Sequence, residues 1–328
     1  MPRRLEFQPM PRRAHRRAAP ARAAAVCLAA MAGCTAPTPT TSGPSAIVTA
    51  DALEIRTGLF TVPAASESLT CFYTALVTDR ELAINGATGV QGPGGHHVTL
   101  YYTEAVREPG WHPCSETEMA SWKMVAGTGG EPGAGDDQSL PDGMAMRIPA
   151  GVQIVVQAHY INTSAQPMDV EDSLSAPVLS PAEVDAYAAM FVVHEDRFEV
   201  PARSAFESVS ECVLGSELNI VLLMGHMHSA GRQFNLEIVR EDGTVEPLYQ
   251  HAWEGAFVSH PPVNRYEAAA PLVLPAGTRL RQTCQWNNTT EGPLLFPSEM
   301  CDGVMFFFPD DGAGMQVCTP ETVNTRVL

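Results

Sequence analysis

The 328-residue chain lacks the marks of several common protein classes. Its eight cysteines include no C-x-x-C pair, which argues against a four-cysteine zinc site. The Gly-rich stretch 127–135 is followed by no Lys-Ser/Thr, so it reads as a surface loop and not a phosphate cradle. Helical periodicity is scarce. The apolar run Ala23–Ala32 is too short to span a bilayer. Basic residues are also few once the N-terminus is set aside. Residues 1–33 hold seven arginines and one glutamate, leaving 13 basic against 36 acidic residues and a net charge of −23. A chain this acidic repels phosphate backbones and anionic surfaces, so nucleic acid is not an expected partner.

That N-terminus has its own logic. Arg3, Arg4, Arg12, Arg13, Arg16, Arg17 and Arg22 precede the apolar run, and Met31-Ala32-Gly33-Cys34 closes it. Residues 1–33 are expected to be a signal peptide with small residues at the cut. Cys34 reads as the lipidated cysteine of a bacterial lipobox. The expected product is exported and lipid-anchored in the cell envelope, in the outer membrane of a Gram-negative host. The anchor would be its only membrane contact. Residues 34–48, rich in Pro, Thr and Ser, are expected to be a linker.

Cys27 leaves with the signal and Cys34 carries lipid. Cys71, Cys114, Cys212, Cys284, Cys301 and Cys318 remain. An even number in an exported chain implies disulfides, but six cysteines allow 15 pairings and counting does not choose among them.

The rest of the chain is patterned for strands. Val98–Tyr102, Val152–Tyr160, Ala189–Val193, Ile220–Met224 and Phe234–Val239 are rich in β-branched and other apolar residues. Clusters such as Gly92-Pro93-Gly94, Pro141-Asp142-Gly143 and Glu241-Asp242-Gly243 separate them. Many short strands between turn signals indicate an all-β sandwich or barrel. Pro149-Ala150-Gly151 and Pro275-Ala276-Gly277 precede strands in the two halves like matched turns. The polar segment Ser180–Asp185 is the expected boundary, giving domains 49–184 and 185–328. Asn162-Thr163-Ser164 and the stretch Asn287-Asn288-Thr289-Thr290 match a glycosylation acceptor pattern but are read as ordinary turns in a bacterial lipoprotein.

Histidines carry the chemistry. His226 and His228 are two apart, so on a strand they share a face with Met224 and Leu222. His96 and His97 are adjacent, and neighbours on a regular strand point opposite ways. Both can reach one ion only at a bend, for which Gly94 and Gly95 supply backbone freedom. His159 shares a face with Gln157 by alternation. Met300 lies beside Cys301. Imidazole with thioether favours copper, Cu(I) in particular, and so redox chemistry over hydrolysis. His112, His251 and His260 read as loop or surface residues, while His194 ends an apolar strand.

The order of these motifs is His-His, Gln-x-His-Tyr, His-x-His followed by Gly231-Arg232, and Glu-Met-Cys. It resembles the copper type II, ascorbate-dependent monooxygenases, the family of peptidylglycine α-hydroxylating and dopamine β-monooxygenases. The resemblance covers roughly residues 50–325. It implies two tandem antiparallel β-sandwich domains, each with one copper. His96, His97 and His159 would hold the electron-storing copper. His226, His228 and Met300 would hold the copper that meets O₂ and substrate, with Gln157 orienting solvent or substrate between them. It also implies the pairings Cys71–Cys114, Cys212–Cys318 and Cys284–Cys301. Ascorbate or another one-electron reductant would be co-substrate with O₂ and a small organic molecule. The peptide-hydroxylating members carry an Arg where this chain has Met224, and an Asn and a Tyr are missing after Met300-Cys301. A peptide substrate is therefore not expected, and Met224 with Asp302 suits an apolar or amine-bearing one. The competing expectations are a copper-buffering lipoprotein without turnover and a purely structural lipoprotein.

Overall fold

The computed structural model describes residues 43–119, 121–128, 139–258, 260–310, 312, 314–319 and 321–327. The expected signal peptide, Cys34, the linker up to residue 42 and most of the 127–135 loop lie outside these. The expected linker ran to Val48, but Ser45–Val48 is already a strand, paired antiparallel with Ala52–Arg56. The fold is all-β and of sandwich type, with one helical turn at Glu116–Met119 and one 3₁₀ turn at Gly255–Val258 among the described residues. Among the described residues no helix is long and apolar enough to cross a membrane.

Two five-stranded antiparallel sheets dominate. The first has the strand order 110–113, 66–77, 153–162, 95–103, 123–128. The second runs 245–252, 231–239, 279–288, 204–213, 321–327. A large central sheet joins the halves, because Met144–Ile148 pairs in parallel with Ala186–His194 on the far side of the 184/185 boundary. Ser180–Asp185 itself is a hydrogen-bonded turn, closed by Glu183 N–H donating to the Ser180 carbonyl at 2.9 Å.

Alternation decides what each strand buries. In the first half, Phe72, Val98, Leu100, Ile154 and Val156 pack onto Leu53, Ile84, Met146 and Ile148. In the second, Phe191, Val193, Leu223, Met305 and Phe307 pack onto Phe234, Leu236 and Trp286. The opposite faces of these same strands are left to line a cavity. Three disulfides pin the frame, Cys71–Cys114, Cys212–Cys318 and Cys284–Cys301. They are the pairings the resemblance implied, and each is worth ~2–5 kcal/mol in an exported domain.

The two five-stranded sheets repeat one another in four of their strands. Asn162 ends a strand and donates from its amide to the carbonyls of Pro63 at 2.8 Å and Gln166 at 2.9 Å. Asn288 does the same to Pro201 at 3.0 Å and Gly292 at 2.9 Å. The two resemblances to glycosylation sites are thus buried turn caps. The matched Pro-Ala-Gly turns also correspond: Gly151 N–H donates to Thr78 O at 2.7 Å, and Gly277 N–H to Leu214 O at 2.8 Å.

Candidate metal centre

The first three histidines come from two paired strands. His97 sits opposite His159 in the antiparallel register. The next pairing is Gly95 with Tyr160, so His96 is the extra residue of a β-bulge. A bulge turns the strand locally and re-aims a side chain. It solves the problem posed by two adjacent histidines, since both imidazoles now face one point: their Nδ1 atoms are 3.1 Å apart. The backbone there tolerates little else. Gly94 has φ +77°, and a Cβ on Gly95 would sit 2.3 Å from Gln91 Cβ. The loop before the bulge is held by Tyr160, whose hydroxyl accepts from Gly92 N–H at 3.0 Å and donates to Asp172 at 2.5 Å. Burial pushes the Asp172 carboxyl up to about 6.

His159 completes a trio whose potential donor atoms all lie within 4.8 Å of one another. Its Nε2 is 2.8 Å from Glu67 Oε1, while its Nδ1 is buried without a partner.

The later residues come from the central sheet. His226, Asp302 and His194 lie side by side across three strands. Met224, Val304 and Val192 form the next row. His228 follows the strand end. Its Nδ1 donates to the Ser298 carbonyl at 3.1 Å, leaving Nε2 buried and unpartnered. Glu299 braces this region. Its buried carboxylate accepts the backbone N–H groups of His228, Ala230 at 2.9 Å and Met300 at 3.1 Å. Burial still raises it to about 7. Met300 is half-buried, and its neighbour Cys301 is tied by the disulfide and by Gln282 Nε2 donating to its carbonyl at 2.8 Å.

The two sets meet. The rings of His96 and His159 each lie 5.7 Å from that of His228, and His97 lies 6.0 Å from His226. The spacing between His226 and His228 themselves is 5.2 Å. All of His97, His159, His226, His228, Met300 and Gln157 line one cavity of about 900 Å³. Gln157 reaches the thioether of Met119 at 3.4 Å.

Four of the imidazoles, those of His96, His97, His226 and His228, are poised as neutral ligands. Burial is the first cause in each depressed member, followed by neighbouring imidazoles. His96 falls to about 3 and His228 to about 4, while His97 and His226 fall well below the usual histidine value. Buried donor nitrogens without partners are costly unless something binds them. Orphaned Nδ1 of His159 and Nε2 of His228, with two Nδ1 atoms in contact at the bulge, make a donor set that fits metal ions. With Met300 on the same cavity wall, the softness of the set fits copper.

Sequence reasoning missed several residues here. His194 is no mere strand end: its Nδ1 lies 2.7 Å from Asp302 and its ring packs edge-on against Phe296. The Asp302 hydrogen bond raises it. Alternation with Val192 was the available signal. Glu67 had no motif at all, and Glu299 stood in Glu-Met-Cys without a role of its own. His112 and His251, expected in loops or at the surface, are half-buried on strands 110–113 and 245–252, where they pack against Tyr73 and Tyr249.

No family model matches the chain, and no curated protein matches it. One similar solved structure, a protein from Parabacteroides distasonis, shares 10% identity over 82% of this chain and 93% of its own length, with a TM-score of 0.15. At that score it carries no argument about fold or site.

Proposed function

We propose that this protein is a copper-dependent monooxygenase of the cell envelope. It would hydroxylate a C–H bond of a small organic substrate using O₂ and an external one-electron reductant of the ascorbate type. The observation that carries the reading is the convergence of His97, His159, His226, His228 and the thioether-bearing Met300 on one cavity, with His96 in ring contact beside them. His96, His97 and His159 would hold one copper, and His226, His228 and Met300 the other. Bound copper supplies one-electron redox chemistry, and two such ions match the two electrons that hydroxylation with O₂ consumes.

The protein's own part is positioning. The His96 bulge aims two imidazoles at one point, and Glu299 ties His228 and Met300 to a common anchor. Met190, Met224, Val192, Val304 and Phe306 give the cavity an apolar wall that excludes water and suits an apolar substrate body. Asp196 and Asp302 line the same cavity and suit an amine. The His194–Asp302 pair holds a proton beside His226. Three disulfides agree with an exported protein. Lipidation at Cys34 is the proposed anchor, tested by Cys34→Ser: release from the membrane fraction is expected, and unchanged fractionation contradicts it.

The deciding experiment is anaerobic reduction of the copper-loaded protein, followed by O₂ consumption with a panel of amines and apolar compounds. Substrate-coupled uptake is expected. Met300→His should keep copper bound through the imidazoles but lose most of that uptake. A wild type that binds copper and consumes no O₂ with any reductant and substrate would be a copper buffer instead.

A further inference from the structure

Glu67 lies on the 66–77 strand, and its neighbour Leu69 is the register partner of His159. Two residues along the same face, the Glu67 carboxylate reaches diagonally to His159 Nε2 at 2.8 Å. The His159 side chain is 5% exposed and Glu67's is 48% exposed. A carboxylate is an acceptor only, so this contact places a hydrogen on Nε2. The lone pair is then on Nδ1, the buried atom without a partner. Glu67 also stands close enough to His228, from the other half of the chain, for the two to influence one another's charge.

Resting on the copper reading above, we propose that Glu67 is a positioning residue of the His96–His97–His159 centre. It fixes the His159 tautomer that offers Nδ1 to the metal, and its negative charge makes that ion easier to oxidise. Outer carboxylates of this kind orient a ligating imidazole and raise its basicity. The two centres then differ by construction. A carboxylate stands behind the trio and favours Cu(II), whereas a soft thioether serves the other site and favours Cu(I). Electrons would run from the trio toward Met300 without any further device.

The test measures Cu(II) and Cu(I) binding, the electron paramagnetic resonance spectrum and the reduction potential of the full chain, none of which requires turnover. Glu67→Gln keeps an acceptor oxygen for His159 but removes the charge. Its trio copper should shift to a more positive potential with Cu(I) affinity nearly unchanged. Glu67→Leu removes acceptor and charge together, and Cu(II) affinity should fall about 10–100-fold. Glu67→Asp should lie nearer the wild type in potential than Glu67→Gln. The metal-free variants should melt with the wild type, because Glu67 is a half-exposed rim residue. The proposal is overturned if Glu67→Gln and Glu67→Leu match the wild type in potential and Cu(II) affinity, or if their loss of copper follows a loss of metal-free stability. A wild type that shows these shifts but no O₂ consumption would retire the monooxygenase reading and leave Glu67's role standing. Normal turnover with an unmoved potential would do the reverse.

Discussion

The two halves of this molecule share a frame and differ in what they hang on it. Four strands in order, the turn contacts and the Asn caps match between the two five-stranded sheets, while the remaining edge strand is 110–113 in the first and the late 321–327 in the second. Even the bulge recurs: Gly95 and His97 pair with Tyr160 and His159, as Gly231 and Gln233 pair with Trp286 and Gln285. The bulged residue is His96 in one half and Arg232 in the other. The first half therefore uses its bulge to present imidazoles. The second half places its own, His226 and His228, at the end of a central-sheet strand. A repeated scaffold has thus produced two ligand sets at non-equivalent positions. They face one another because the cavity-lining face of the first sheet looks onto that of the central sheet.

If the two sets hold two coppers, removing one ligand from each half should have parallel but separable effects. His159→Ala and His228→Ala should each abolish substrate-coupled O₂ uptake, and elemental analysis should find one copper in place of two. Loss of both metals from either variant would mean that the halves bind as one indivisible site.

Acid should weaken both halves together. His96, His97, His226 and His228 have folded values depressed below the ordinary 6.5. Below that pH the unfolded chain takes up protons that the folded chain refuses, so stability is full above about pH 6.5 and lost as pH falls toward 4. Each unit of depression is worth ~1.4 kcal/mol, so the buried His228 alone corresponds to about 3 kcal/mol. Denaturant titrations of the metal-free protein at pH 7 and pH 5 check this, and His228→Ala should flatten the dependence.

Smaller effects should separate the two bulges. A Cβ on Gly95 meets Gln91, and one on Gly231 meets Trp253 Cδ1 at 2.6 Å. Overpacking of this kind costs about 1–3 kcal/mol. Gly95→Ala should also weaken copper binding at the trio. Gly231→Ala should lower the melting temperature while leaving trio copper affinity near normal. Equal effects on that affinity would erase the functional difference between the bulges.

Much of this was legible in the residues. Apolar strand runs and the disulfide count follow from local pattern, and local pattern survives folding; the strand alternation expected of His226 and His228 stops at His226, where the strand ends. Gly94-Gly95 before His96-His97 announced a bend, and the bend is a bulge. What could not be read depends on register and on packing between halves. Glu67 reaches His159 only because Leu69 is the residue opposite it. Glu299 gathers three backbone N–H groups contributed by His228, Ala230 and Met300. Nothing in the spacing of the six ligands indicated that the His228 ring would come within 5.7 Å of those of His96 and His159.

That nearness is the central claim, and resonance spectroscopy of the protein loaded with two equivalents of Cu(II) tests it most directly. With imidazoles of the two sets 5.7–6.0 Å apart, the two ions should interact. The spectrum should be broadened and weakened relative to two spins, and His228→Ala should restore a single sharp, isolated signal. Two full-intensity, independent Cu(II) signals in the wild type would contradict the convergence of the halves on one cavity.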